Sequence, residues 1–231
     1  MVPDPEIAQD GPPARGRLRD FKESRELAYM VTILVVGGQV WLATALGLGF
    51  AWLLPLATAV LMVASVMATR VPPTRRNWAW RALPLAVVTI LALENAICLA
   101  LLIHGIFVHS RLDPLGLVIA GTVLWVVNIG VFALAFWEID GGGPEFRREH
   151  DTWTYDLVFP QQSNPPKLAP AGWKPAFHDY LYVSVTAATA FSPTDAMPYS
   201  GKAKLLMGLE STLSFLVVAL LIARAVSIAN G

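Results

Sequence analysis

Cysteine is nearly absent: Cys98 is the only one in 231 residues, so no disulfide can close within the chain. Its position inside an apolar run marks it as a small core residue. Charge is scarce as well. The 17 basic and 17 acidic residues make up 15% of the chain and cancel to a formal net charge of zero. No basic cluster is interleaved with aromatic residues, so nothing points to nucleic acid. The four histidines, His104, His109, His150 and His178, lack metal-ligand spacing, and no C-x-x-C, H-E-x-x-H, P-loop or G-x-S-x-G pattern occurs. The expectation is therefore no enzyme, no metal site and no cofactor. No apolar segment carries arginine at every third position, which argues against a voltage sensor. No cleavable signal peptide is visible, because the first apolar run begins only near Leu27 and is too long for an h-region.

What the chain has in abundance is apolar sequence. Hydrophobic residues are 55% of the total and the mean hydropathy is +0.53, far from ordinary soluble usage. An all-α, multi-pass protein of the cell membrane is expected, with the lipid bilayer as its first partner. Residues 1–26 read as a polar cytoplasmic tail, with Pro3, Pro5, Pro12 and Pro13 followed by Arg15, Arg17, Arg19, Lys22 and Arg25. Residues 27–137 hold four apolar segments, about Leu27–Leu46, Phe50–Ala68, Ala82–His104 and Leu115–Trp137. Each is near the roughly 20 residues that a spanning helix needs. Gly47-Leu48-Gly49 makes the first two a tight hairpin, and Trp78, Trp80 and Trp137 fall at span ends like an interfacial belt. Residues 138–178, with Gly141-Gly142-Gly143-Pro144 and five later prolines, read as an irregular connection outside the hydrocarbon.

Residues 179–231 form the last unit. Its first part, D-Y-L-Y-V-S-V-T-A-A-T-A-F-S-P-T-D-A-M-P-Y-S-G from Asp179 to Gly201, has an apolar stretch of twelve residues, Tyr180 to Phe191. As a helix that stretch rises roughly 18 Å at about 1.5 Å per residue, half a bilayer. Irregular backbone at membrane depth survives only where protein or a water-filled cavity satisfies it. The segment resembles the pore helix and filter of potassium channels, whose pattern is Y-F-S-V-V-T-L-T-T-V-G-Y-G-D-x-x-P. Tyr182, Ser184, Val185, Thr189, Asp195 and Pro198 keep their places in it without a gap. Gly201-Lys202-Ala203-Lys204-Leu205, the apolar run after it and Ile222-Ala223-Arg224 are similar to the family's inner helix.

The resemblance implies a homotetrameric cation channel, since one pore loop supplies a quarter of a filter, with monovalent cations in transit. It assigns Thr189, Ala190, Phe191, Ser192, Pro193, Thr194 and Asp195 to the pore. The filter itself departs from the pattern: Ala190-Phe191-Ser192-Pro193-Thr194-Asp195 stands where the family has T-V-G-Y-G-D. Filter glycines let carbonyl oxygens face the ion, whereas Ser192 and Thr194 carry a Cβ and Pro193 fixes φ and removes an N–H. Weak selectivity is the expectation. The other readings are a non-conducting membrane protein with a structural pore-like hairpin, and a membrane enzyme or transporter using Glu94, His104 and Asp195.

Topology is in tension at this level. Arg70, Arg75, Arg76 and Arg81 have no acid among them, so the positive-inside rule places 69–81 and the N-terminal tail in the cytoplasm. Four spans then leave Glu138 inside, whereas a channel of familiar orientation needs 138–178 outside. Residues 179–197 crossing as a fifth helix resolve this, as does a departure from the charge rule here or a pore-like module entering from the cytoplasmic face.

Ionisable groups at bilayer depth are functional candidates. Glu94, next to Asn95, reads either as an ion or proton relay or as a packing glutamate. Glu210 reads either as a brace reaching Ser184, Thr186 or Thr189, or as a partner of Lys202 or Lys204. Gln39 and Asn128 read as interhelical glue. The hydroxyls of Thr186, Thr189 and Ser192 either line a cavity or bond to their own helix.

Overall fold

The computed structural model describes residues 14–48, 53–68, 78–107, 112–150, 154–162, 173–191 and 195–229. Its elements are α1 (Ala14–Ala45), α2 (Leu53–Ala68), α3 (Trp78–Phe107), α4 (Pro114–Ile139), α5 (Pro144–Glu149), β1 (Leu157–Val158), α6 (Phe177–Ala190), β2 (Met197–Pro198) and α7 (Gly201–Ala229). The chain is an all-α membrane protein: Arg25–Ala45, Arg81–Phe107, Pro114–Gly142 and Gly201–Ala229 are each long and apolar enough to cross a bilayer. The described part of α2 has 16 residues, which at about 1.5 Å per residue is roughly 24 Å.

Helix α4 is the hub. Of the residues in its apolar stretch 67% are buried within the chain, against 11% in α7, because α1, α3, α6 and α7 all pack against it. Local sequence fixes both of its ends. Asp113 caps the start by accepting from the Gly116 N–H at 2.8 Å, with Pro114 in the first turn. At the other end Gly141, Gly142 and Gly143 take φ of 54°, 82° and 95°, a left-handed run that residues with a Cβ resist. A Cβ on Gly143 would also lie 2.0 Å from the Arg81 guanidinium. Within the bundle the helices approach closely where glycine faces a branched side chain, Gly130 against Val35 and Gly121 against Leu221. Small residues serve membrane helices in this way because burial against lipid tails gives no hydrophobic gain.

One end of the bundle gathers the charges. Arg25 of α1 pairs with Glu145 at 3.0 Å, and Arg81 of α3 pairs with Glu138 at the end of α4 at 2.8 Å. Lys202, opening α7, reaches Asp156 at 2.8 Å and the Ile139 carbonyl at 3.2 Å. Residues 138–178, irregular by composition, are built into this end: β1 pairs antiparallel with β2, with Leu157 opposite Pro198 and Val158 opposite Met197. The buried Arg147 donates to the carbonyls of Trp137, at 3.0 Å, and Asp140.

Helix α6 begins at this same end. The Asp179 carboxylate accepts from the Ala176 N–H at 2.8 Å, half of a capping box with an acid suited to the helix N-terminus. From there α6 runs antiparallel to α4 and parallel to α7: Tyr180 meets Asp140, Ser184 meets Ile129 and Glu210, and Ser211 reaches the Ala187 carbonyl. The helix stops at Phe191, whose φ of 55° is left-handed. The Phe191 ring packs edge-on against Phe215 at 5.5 Å, well along α7. Only a few residues later β2 is back beside β1, at the charged end. Both flanks of α6 thus lie at one end of the bundle, and its tip lies part-way along α7.

Candidate functional site

Helix α6 has two faces. Tyr180, Val183, Ser184, Ala187 and Ala188 are buried, while Tyr182, Val185 and Thr189 are exposed, as a 3.6-residue period requires of a helix packed on one side.

Two groups fix the buried face. At the charged end the Tyr180 hydroxyl donates to Asp140 Oδ2 at 2.6 Å, and the Arg147 guanidinium stands 5.1 Å from the centre of the Tyr180 ring. The other oxygen of Asp140 accepts from the N–H groups of Asp156 and Leu157 at 2.9 and 3.1 Å. Asp156 in turn accepts from Gly141 N–H at 3.0 Å and from Lys202. Burial by itself would raise the Asp156 carboxyl, but bonds from Lys202, Ser200 and Gly141 hold it below the ordinary carboxylate range. One acid thus ties α4 to α6, and another ties α4 to α7.

Deeper in the bundle, Ser184 Oγ lies 2.7 Å from the Ile129 carbonyl and bonds to Glu210 Oε1, both side chains being fully buried. A serine hydroxyl holds one proton. The carbonyl can only accept, so when Ser184 donates to it Glu210 must donate to Ser184 and is then a neutral carboxylic acid. Ser184 is the one of the three hydroxyls suggested by the sequence that Glu210 meets. Thr186 and Thr189 bond instead to carbonyls of their own helix, Thr186 to Tyr182 and Val183 and Thr189 to Val185. A second buried chain crosses the bundle: Asn95 donates to Asn128 at 2.8 Å, and Asn128 to Ser214 at 3.2 Å. Gln39 donates to the Leu91 carbonyl at 2.7 Å, so Gln39 and Asn128 both bond between helices. Glu94 is buried beside Asn95, and neither of its oxygens has a partner among the described residues.

The residues assigned to the pore from sequence divide unevenly. Thr189 and Ala190 form the exposed last turn of α6, Phe191 caps it, and Asp195 is exposed on the way back to β2. Ser192, Pro193 and Thr194 lie outside the described residues. Sequence reading missed the Asp140, Arg147 and Asp156 cluster. The signal was a charged group on each side of the glycine run, but the bonds from Asp156, Leu157 and Tyr180 to Asp140 span 16, 17 and 40 residues.

Compared with protein-family models, with curated proteins and with solved structures, the chain matches none.

Proposed function

We propose that the chain is a subunit of an oligomeric, cation-channel-like protein of the cell membrane. In this reading 177–198 dips into the bilayer and returns to the same face, and α7 is the helix beside it. The observation that carries the reading is the hairpin course of α6, which starts and returns beside Asp140 and Asp156 with its tip against Phe215. Supporting it, the exposed face of α6, with Tyr182, Val185 and Thr189, is left uncovered by this chain. A tetramer arranged around such faces would bring four copies of Thr189 and Asp195 together, as the resemblance implies.

The orientation follows from charge. Among the described residues Arg25, Arg81, Arg147, Arg148, Lys174, Lys202 and Lys204 lie at or beside the charged end, against Arg224 towards the other. The positive-inside rule puts that end in the cytoplasm. The re-entrant segment then enters from the cytoplasmic face, inverted relative to familiar potassium channels, and no extra crossing is needed.

Ion flux into liposomes of stated salt content tests the function. The expected result is cation flux with little preference between sodium and potassium, because Ser192-Pro193-Thr194 replaces the glycine filter. Asp195→Asn is expected to lower flux more at low than at high ionic strength, since salt screens a carboxylate ring over about 8 Å near physiological strength. No flux of any ion from a confirmed oligomer would move the protein to the non-conducting reading.

A further inference from the structure

Away from α6, the most unusual chemistry lies among α1, α2 and α3. Gln39 Oε1, Thr58 Oγ1, both oxygens of Glu94 and Asn95 Oδ1 have no hydrogen-bond partner among the described residues. All four side chains are more than nine-tenths buried, with exposures of 1%, 0%, 4% and 5%. They belong to one neighbourhood. Gln39 donates to the Leu91 carbonyl, and a helical carbonyl points along the axis towards the side chains three and four residues on, here Glu94 and Asn95. Thr58 faces Glu94 from α2.

We propose that Gln39, Thr58, Glu94 and Asn95 form a binding site for an alkali cation inside the helix bundle, separate from α6. The donor set argues for it. Both amide nitrogens already donate elsewhere, Gln39 to Leu91 and Asn95 to Asn128, which leaves their buried oxygens as the atoms still to be satisfied. A hydroxyl and a carboxylate complete a set of five oxygens, the ligand type that suits hard cations. Protonating Glu94 would still leave one amide oxygen unmet, because the set then has two donors, the Glu94 and Thr58 hydroxyls, for three accepting oxygens. Unmet buried acceptors are costly, and one cation satisfies several at once. Charge selects the valence: Glu94 is the only carboxylate here, so a monovalent ion gives a neutral site while a divalent ion leaves a net charge in the bilayer. The other titratable groups on this stretch of α3 are Cys98, a turn further on, and His104. Helix α2 has no ionisable residue, and no acidic or basic residue lies in the apolar stretches of α1 beyond Glu26 and of α4 before Glu138.

This site does not depend on whether the protein conducts, and a binding measurement tests it alone. The full-length protein, purified in nanodiscs, is unfolded thermally in sodium, potassium or lithium chloride, with choline chloride keeping ionic strength constant. The expected result is a saturable rise in the melting midpoint with at least one alkali cation, about 5–10 °C at a hundredfold excess over Kd. Glu94→Gln is expected to abolish the rise. Gln39→Leu and Thr58→Val, close to the native volumes, are expected to raise Kd tenfold or more, and they decide the matter if Glu94→Gln does not fold. Identical midpoints in all salts would overturn the site, and so would a cation-induced rise that survives Glu94→Gln or both of the other changes.

Discussion

Glu210 shows how a single hydroxyl constrains the chemistry around it. Because Ser184 has one proton and two oxygen neighbours, the acid must donate whenever the serine serves the Ile129 carbonyl. Glutamine can make the same donation through its amide, whereas alanine leaves Ser184 short of a partner and opens a cavity. Glu210→Gln is therefore expected to unfold within about 1 kcal/mol of the native protein, and Glu210→Ala to lose about 2–4 kcal/mol, as read by denaturant titration in detergent. Equal losses for the two would contradict the hydrogen count. Asp156 makes the opposite case, an acid that needs its charge. Its folded value lies below the ordinary 3.8, so its contribution to stability is present above that value and is lost as pH falls through the lower, folded one. The gap in melting midpoint between wild type and Asp156→Asn should narrow as pH is lowered from about 5 to about 3. Lys202 is 56% exposed, so added salt should narrow it too.

At the scale of elements, the Tyr180 hydroxyl is the latch that seats α6 against the end of α4. Tyr180→Phe keeps the ring in place and leaves Asp140 Oδ2 short of its donor. A loss of about 1–2 kcal/mol is expected, with cysteines introduced on the buried face of α6 becoming more reactive to thiol reagents. Unchanged stability and reactivity would mean that packing alone holds the helix. The same element marks where sequence reading stops. Long apolar runs make α3, α4 and α7 legible, and Asp113-Pro114 and the three glycines give the ends of α4 from neighbours alone. Composition could not tell whether 179–197 crosses or returns, because a short apolar helix is the same object in both cases. Its course is set by Tyr180 on Asp140, 40 residues away, and by β2 on β1. Residues 138–178 read as irregular for a related reason: their prolines and glycines are local signals, while the bonds ordering Asp140, Arg147 and Asp156 are not. Residues 14–26, read as tail, belong to α1, a polar helical extension that hydropathy does not register.

For the whole molecule, the account turns on one spatial fact: the charged ends of α1, α3 and α4, both flanks of α6 and the start of α7 lie together. In the orientation proposed above, charge asymmetry puts that face in the cytoplasm, and α7 would carry the chain to the other side. Labelling of single cysteines with a membrane-impermeant thiol reagent, in a Cys98→Ser background and in sealed vesicles of known orientation, tests this most directly. Cysteines placed at His178 and at Tyr199 should both react from the cytoplasmic face, and one at Ser227 only from the opposite face. Reaction at His178 and Tyr199 from opposite faces would make 179–197 a full crossing and contradict the re-entrant hairpin.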